Sequence, residues 1–204
     1  MLEQIRKDVV RTYSSFNHFN TDATRGKDTL QNILICIADI GGIGYIQGLN
    51  FIAASVLYHC DVDYSYYIVE RLFQAVDAKT LYSGNLREIM VQLNFFFHEY
   101  LKSNAPEVQQ DLVAKDIFPE LIFTEWFVTL GFSIVPMEFH IKMLANFFEH
   151  SFEYIHVLLL RFVCARYREF KSLDAELTII CLKSVGQNLK KDKQTNDVKW
   201  IEIV

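Results

Sequence analysis

The sequence predicts an all-α fold, an irregular assembly of many short helices in a single domain, and three observations carry that prediction. Apolar residues recur at the three- and four-residue spacing of a helix almost throughout, the alternation of a half-buried strand is nearly absent, and the interruptions are short. Only eight Gly and three Pro stand among 204 residues that are 51% hydrophobic and 22% charged, which excludes a disordered or collagen-like chain. That length can bury a sizeable core.

Taken in order, the helical stripes are Leu30, Ile33, Leu34 and Ile37; Val69, Phe73 and Val76; and Leu86, Ile89, Leu93, Phe96 and Tyr100. They continue through Glu120–Phe132 with Trp126 and Phe127, then Phe139, Met143, Leu144 and Phe147, then Ile155, Leu159 and Phe162, then Leu173, Leu177, Ile180 and Leu189. Breaks fall at Asn20–Gly26, Gly41–Gly44, Asp61–Asp63, Ser83–Asn85, Ser103–Pro106 and Ser133–Pro136, none long enough for a linker. No repeat with a solenoid period is present. The domain is therefore expected over residues 1–186, followed at 187–204 by a charged tail expected to fray. Trp126-Phe127 and the Phe95-Phe96-Phe97 run are expected in the core.

Charge and composition narrow the function. Twenty Lys and Arg against twenty-five Asp and Glu give a formal charge of −5, with no basic excess to neutralise phosphates, so nucleic-acid binding is not expected. Cys36, Cys60, Cys164 and Cys181 form no CxxC pair, and there is no Asn-x-Ser/Thr site, which points to a reducing, cytoplasmic setting. The opening residues carry Glu3, Arg6, Lys7, Asp8 and Arg11 with no apolar run behind them, unlike a signal peptide. Ile40 to Cys60 lacks charge over the length of a membrane span, but Gly41, Gly42, Gly44, Gly48, Gln47 and Asn50 favour a buried helix in water.

The histidines, His18, His59, His98, His140, His150 and His156, include no HExxH or His-x-His, so no metal site is expected. The glycines around Gly44 are followed by no Gly-Lys-Ser/Thr and preceded by no strand, which argues against a phosphate loop.

Two segments stand apart: Ile5-Arg6-Lys7-Asp8-Val9-Val10-Arg11-Thr12 and Gly44-Tyr45-Ile46-Gln47-Gly48-Leu49-Asn50. The first resembles the IxxDxxRT motif, and the second the GYxQGxN motif, of the TBC domain, an all-helical module that activates Rab-type small GTPases. Glu125-Trp126-Phe127-Val128-Thr129-Leu130 resembles that family's later Trp-Phe segment, so the resemblance covers most of the chain.

The resemblance implies a GTPase-activating protein that inserts an arginine and a glutamine into the partner's active site, and these fall on Arg11 and Gln47. Such a protein supplies catalytic residues in trans and is not an enzyme with a substrate of its own. Asp8, three residues before Arg11, is expected to orient the guanidinium or cap a turn. Thr12, Tyr45, Gly48 and Asn50 are expected in supporting roles, Gly48 allowing a sharp turn and Asn50 bonding the loop backbone. No cofactor of its own is expected, because GTP and magnesium come with the partner. That partner would be a Rab-type small GTPase in its GTP form, bound by a monomer that is cytoplasmic and peripheral to endomembranes, and that meets membranes only through the lipid-anchored GTPase.

The chain departs from the family pattern in three places. Ile5 follows only four residues where a helical segment usually precedes the first motif, so a truncated or divergent start is expected. Tyr13 and Ser14 stand where a proline usually follows the Arg-Thr pair, which is expected to loosen that turn. A Trp-Asp pair is not evident around Ala145–Glu149. The competing readings are a non-catalytic module that recognises a GTPase or trafficking factor with its fingers misplaced, and a helical scaffold whose motifs are coincidental.

Overall fold

The computed structural model describes residues 1–14, 25–40, 44–183 and 200–204. Every element among them is helical, and no strand is found there. The chain begins with α1 (Leu2–Arg11), whose Ile5, Asp8 and Val9 are buried and whose stripe continues to the buried Thr12. That is the i, i+3, i+4, i+7 pattern of a helix lying on a core, with one acidic residue inside the stripe. Helix α2 (Arg25–Ile40) and the short, almost wholly buried α3 (Leu49–His59) are its neighbours. Helix α3 is too short and α2 too polar to span a bilayer, and no helix among the described residues is long and apolar enough to do so.

Helix α4 (Val62–Ala75) packs on α3, and a single turn, α5 (Ala78–Leu81), leads to a 3₁₀ turn at Gly84–Leu86. Next, α6 (Arg87–Phe95) runs through a π-helical turn at Phe96–Tyr100 into α7 (Leu101–Asn104). Phe96 and Phe97 are buried, whereas Phe95, expected in the core with them, is 47% exposed. Three consecutive helical residues cover most of a turn, so they cannot all face one core.

Proline opens both α8 (Pro106–Ala114) and α9 (Pro119–Val128), at the position where its missing N–H costs nothing. The apolar pattern predicts a helix continuing to Phe132, but α9 stops at Val128. Leu130 takes a left-handed conformation (φ +51°) and the Gly131 N–H returns to the Trp126 carbonyl at 2.8 Å, a Schellman closure. Leu130 and Phe132 are still fully buried, which is why periodicity reads through the stop.

After a 3₁₀ turn (Met137–Phe139), α10 (His140–Phe170) forms the longest element. It is broken at Ser151, where φ +50° and ψ −131° leave the helical region, and its two arms match the two separate stripes in the sequence. Asp174 caps α11 (Ala175–Lys183) by accepting the Leu177 N–H at 2.9 Å.

Residues 20–24, 41–43 and 187–199, which carry parts of the expected breaks and most of the expected tail, lie outside the described residues. The chain's last residues differ from a frayed end. Residues 200–203 form a single turn, α12 (Trp200–Ile203), Ile203 and Val204 are buried, and Arg161 of α10 donates to the Ile203 carbonyl at 3.3 Å. Two apolar residues at the terminus find a place in the core that the preceding run of charge conceals.

Candidate functional site

The two sequence motifs meet. Helix α1 ends at Arg11, and the turn before α3 carries Gln47 at an exposed position; both side chains line one open groove of about 600 Å³. Other walls come from Phe51 on α3, from Leu86 in the 3₁₀ turn, from Lys183 at the end of α11, and from α9 through Leu121, Glu125 and Val128.

What joins the motifs is a buried polar network centred on Asp8. Its carboxylate is fully buried and receives the Tyr45 hydroxyl at 2.6 Å, the Gln4 side-chain amide at 3.1 Å, and an ion pair from Arg11. A carboxylate removed from water requires such donors. The Arg11 side chain is itself 55% exposed, so Asp8 ties down one edge of the guanidinium and leaves the rest facing the groove. Burial, and then the hydrogen bond and charge of Asp8, push the Tyr45 phenol well above its ordinary pKa, with Arg11 opposing weakly. Tyr45 therefore stays a donor across the physiological range.

A second chain of bonds runs beside the first. The Thr12 hydroxyl donates to the Asp8 carbonyl at 2.6 Å and accepts from the Asn50 amide at 2.7 Å, while Asn50 Oδ1 accepts the Gly48 N–H at 3.0 Å. Asn50 thus reaches back from the first turn of α3 to cap it, and simultaneously ties that turn to α1. Gly48 stands at φ +115°, where side chains are strained, and a Cβ there would meet Val128 Cγ1 at 2.8 Å. Gln47 is consequently presented from a turn pressed directly onto the end of α9, and it makes no hydrogen bond with a described residue.

The expected set, Asp8, Arg11, Thr12, Tyr45, Gln47, Gly48 and Asn50, is therefore brought together within one network and one groove. Sequence reading missed Gln4 and the α9 wall. A signal for the buried role of Asp8 was present, since it shares a face with Ile5, Val9 and Thr12. The α9 contribution had none, because it depends on where a distant helix ends.

No group of three or more His, Cys, Asp or Glu among the described residues is placed to hold a metal. His140 is buried with both ring nitrogens bonded, to the Ser55 hydroxyl at 2.7 Å and to the Val135 carbonyl at 2.8 Å. Since a carbonyl only accepts, Nε2 carries the proton and Nδ1 accepts from Ser55. Burial pushes its pKa down to about 4, against a raising contribution from the bond to Val135.

The described elements are all helical, and two adjacent turns bring an arginine and a glutamine to one groove. The chain belongs to the Rab-GTPase-TBC domain family, which it matches over residues 1–173. Among its relatives, the human ecotropic viral integration site 5 protein homolog is 22% identical over 173 residues, 84% of this chain and 21% of the relative. Growth hormone-regulated TBC protein 6 of Caenorhabditis elegans is 28% identical over 139 residues, 68% of this chain and 41% of the relative. The GTPase-activating protein gyp2 of Schizosaccharomyces pombe is 24% identical over 144 residues, 70% of this chain and 19% of the relative. The chain thus matches roughly a fifth to two fifths of the length of these relatives.

Proposed function

We propose that this chain accelerates GTP hydrolysis by a Rab-type small GTPase, with Arg11 and Gln47 entering the partner's nucleotide site. The observation that carries the reading is the Asp8 network, which sets an exposed arginine and an exposed glutamine at the rim of the same groove.

The chemistry suits those two groups. In phosphoryl transfer, negative charge spreads over the bridging and γ-phosphoryl oxygens, and a planar guanidinium of permanent charge meets two oxygens at once where an ammonium would not. Asp8 holds the guanidinium before the encounter, so less ordering is left for the transition state. An amide both donates and accepts without titrating, which suits Gln47 to orient the attacking water. The nucleotide and its magnesium belong to the partner, the GTP-loaded GTPase. The protein would work in the cytoplasm and reach endomembranes through that lipid-anchored partner.

Single-turnover GTP hydrolysis by a panel of Rab-type GTPases, with and without this protein, tests the reading. The expected outcome is acceleration of one or a few members, with Arg11→Ala losing about 10³-fold or more, the range set by arginine fingers in other GTPase systems. Gln47→Ala should also remove most of the acceleration. Binding of the GTP form without acceleration, or acceleration indifferent to Arg11→Ala, would replace this reading with that of a non-catalytic recognition module.

A further inference from the structure

The turn that follows Arg11 is expected from the sequence to be loose, because Tyr13 and Ser14 stand in place of a proline. The structure gives it a different constraint. Thr12 leaves α1 in an extended conformation, and Tyr13 then takes φ +42°, a left-handed geometry that is costly for a bulky residue. Its ring packs edge-on against Phe51 of α3, with centroids 5.4 Å apart. Its hydroxyl donates to the carbonyl of Phe132, 119 residues away, at 2.6 Å.

Phe132 lies in the connector between α9 and α10, and that connector is itself held on both sides. The Gly131 N–H closes onto Trp126, and the Val135 carbonyl receives the His140 ring, whose other nitrogen is bonded to Ser55 of α3. Tyr13 therefore reaches a carbonyl whose own segment is held by hydrogen bonds on both sides. The bond spans from the residue two beyond Arg11 to the part of the molecule on which Gly48 also rests, through Val128 and Thr129.

We propose that the Tyr13 hydroxyl is a positioning group for Arg11. By bonding the Phe132 carbonyl it locks the turn after α1, and the locked turn keeps the guanidinium registered on Asp8 at the groove. This inference rests on the activator reading for its kinetic consequence, but not for its structural one. Burial raises the phenol well above its ordinary pKa, so the donor persists at every working pH.

Tyr13→Phe removes one oxygen and keeps the ring on Phe51. In single-turnover hydrolysis it should lower the maximal accelerated rate about tenfold while leaving the half-saturating concentration unchanged, the pattern of a group that matters only to the transition state. The same substitution should cost nothing further in an Arg11→Ala background and retain its tenfold cost in a Gln47→Ala background. A merely structural role would lower the rate equally in all three backgrounds, and that result, or an unchanged rate in Tyr13→Phe alone, would overturn the proposal. A second measurement is independent of the GTPase: ¹⁵N relaxation of the Arg11 side-chain Nε–H and amide exchange of residues 11–13 in the free protein. Both should report a looser turn in Tyr13→Phe, and identical values would overturn the anchoring itself. Should the wild type accelerate no GTPase, the functional reading falls while this second measurement still decides the anchor.

Discussion

The Arg11–Gln47 region and the aromatic core built on the π-helical turn after α6, on α9 and on α10 are held by different physics. In the core, Phe96 meets Phe123 with ring centroids 5.3 Å apart, and Trp126 meets Phe162 at 4.8 Å, all four almost fully buried. Such packing sums many weak contacts, so losing one side chain weakens the whole fold without redirecting any particular atom. Around Asp8, by contrast, the Tyr45 hydroxyl, the Arg11 guanidinium and the Thr12–Asn50–Gly48 chain each depend on single donors and acceptors. Losing one leaves the apolar core intact and moves a particular side chain of the proposed site. The comparison teaches that stability and activity should separate under mutation here, and the predictions at Phe162, Gly48 and Lys115 test that separation.

The largest stability effect belongs to the core. Phe162→Ala should cost about 3–5 kcal/mol by denaturant unfolding, while the accelerated rate per folded molecule stays within about threefold of wild type. A large rate loss in the folded fraction would mean that the two regions are coupled more tightly than their contacts suggest.

Next comes the acid sensitivity carried by His140, which lies between the regions. Its folded pKa of about 4 lies below the ordinary histidine value of 6.5. The unfolded chain therefore binds the proton first as pH falls. The stabilisation is complete above about pH 6.5 and is lost progressively towards pH 4, by about 3 kcal/mol in all. Unfolding midpoints measured from pH 8 to 4 should fall more steeply in wild type than in His140→Leu, and an NMR titration should place the imidazole near 4.

Gly48→Ala reverses the balance shown by Phe162. A methyl would enter the contact with Val128 at a left-handed backbone position, costing about 1–2 kcal/mol of stability. It should nevertheless lower the accelerated rate about a hundredfold, because a displacement of about 1 Å at a catalytic group is that expensive. Equal rates in mutant and wild type would show that Gln47 tolerates the shift.

The smallest expected effect is at Lys115, outside the groove, whose ammonium bonds Asp111 at 2.7 Å and the Phe170 carbonyl at the end of α10 at 2.9 Å. Lys115→Met should cost about 1 kcal/mol in unfolding and leave the rate untouched. A rate change there would be unexplained by any contact of the site.

Much of this was legible beforehand, and unevenly. The helices were, because burial of one face imposes a period that needs no knowledge of the partner surface, as in Leu30, Ile33, Leu34 and Ile37. The stop at Val128 was not, since Leu130 and Phe132 are as apolar and buried as the helix before them. The docked terminus was hidden for a related reason: two apolar residues after a charged run give no period to read.

Within the site, the sequence by itself determined which side chains are offered, an arginine at the end of a helix whose stripe contains an aspartate, and a glutamine before a glycine at the head of another. Only the tertiary structure decided that they share a groove. The tyrosine that bonds Asp8, the asparagine that bridges to Thr12, and the carbonyl that accepts Tyr13 lie 37, 38 and 119 residues from their partners. A hydrogen bond acts over about 3 Å, whereas sequence pattern registers only neighbours within a turn or two, so such pairings exist as information only once the chain has folded.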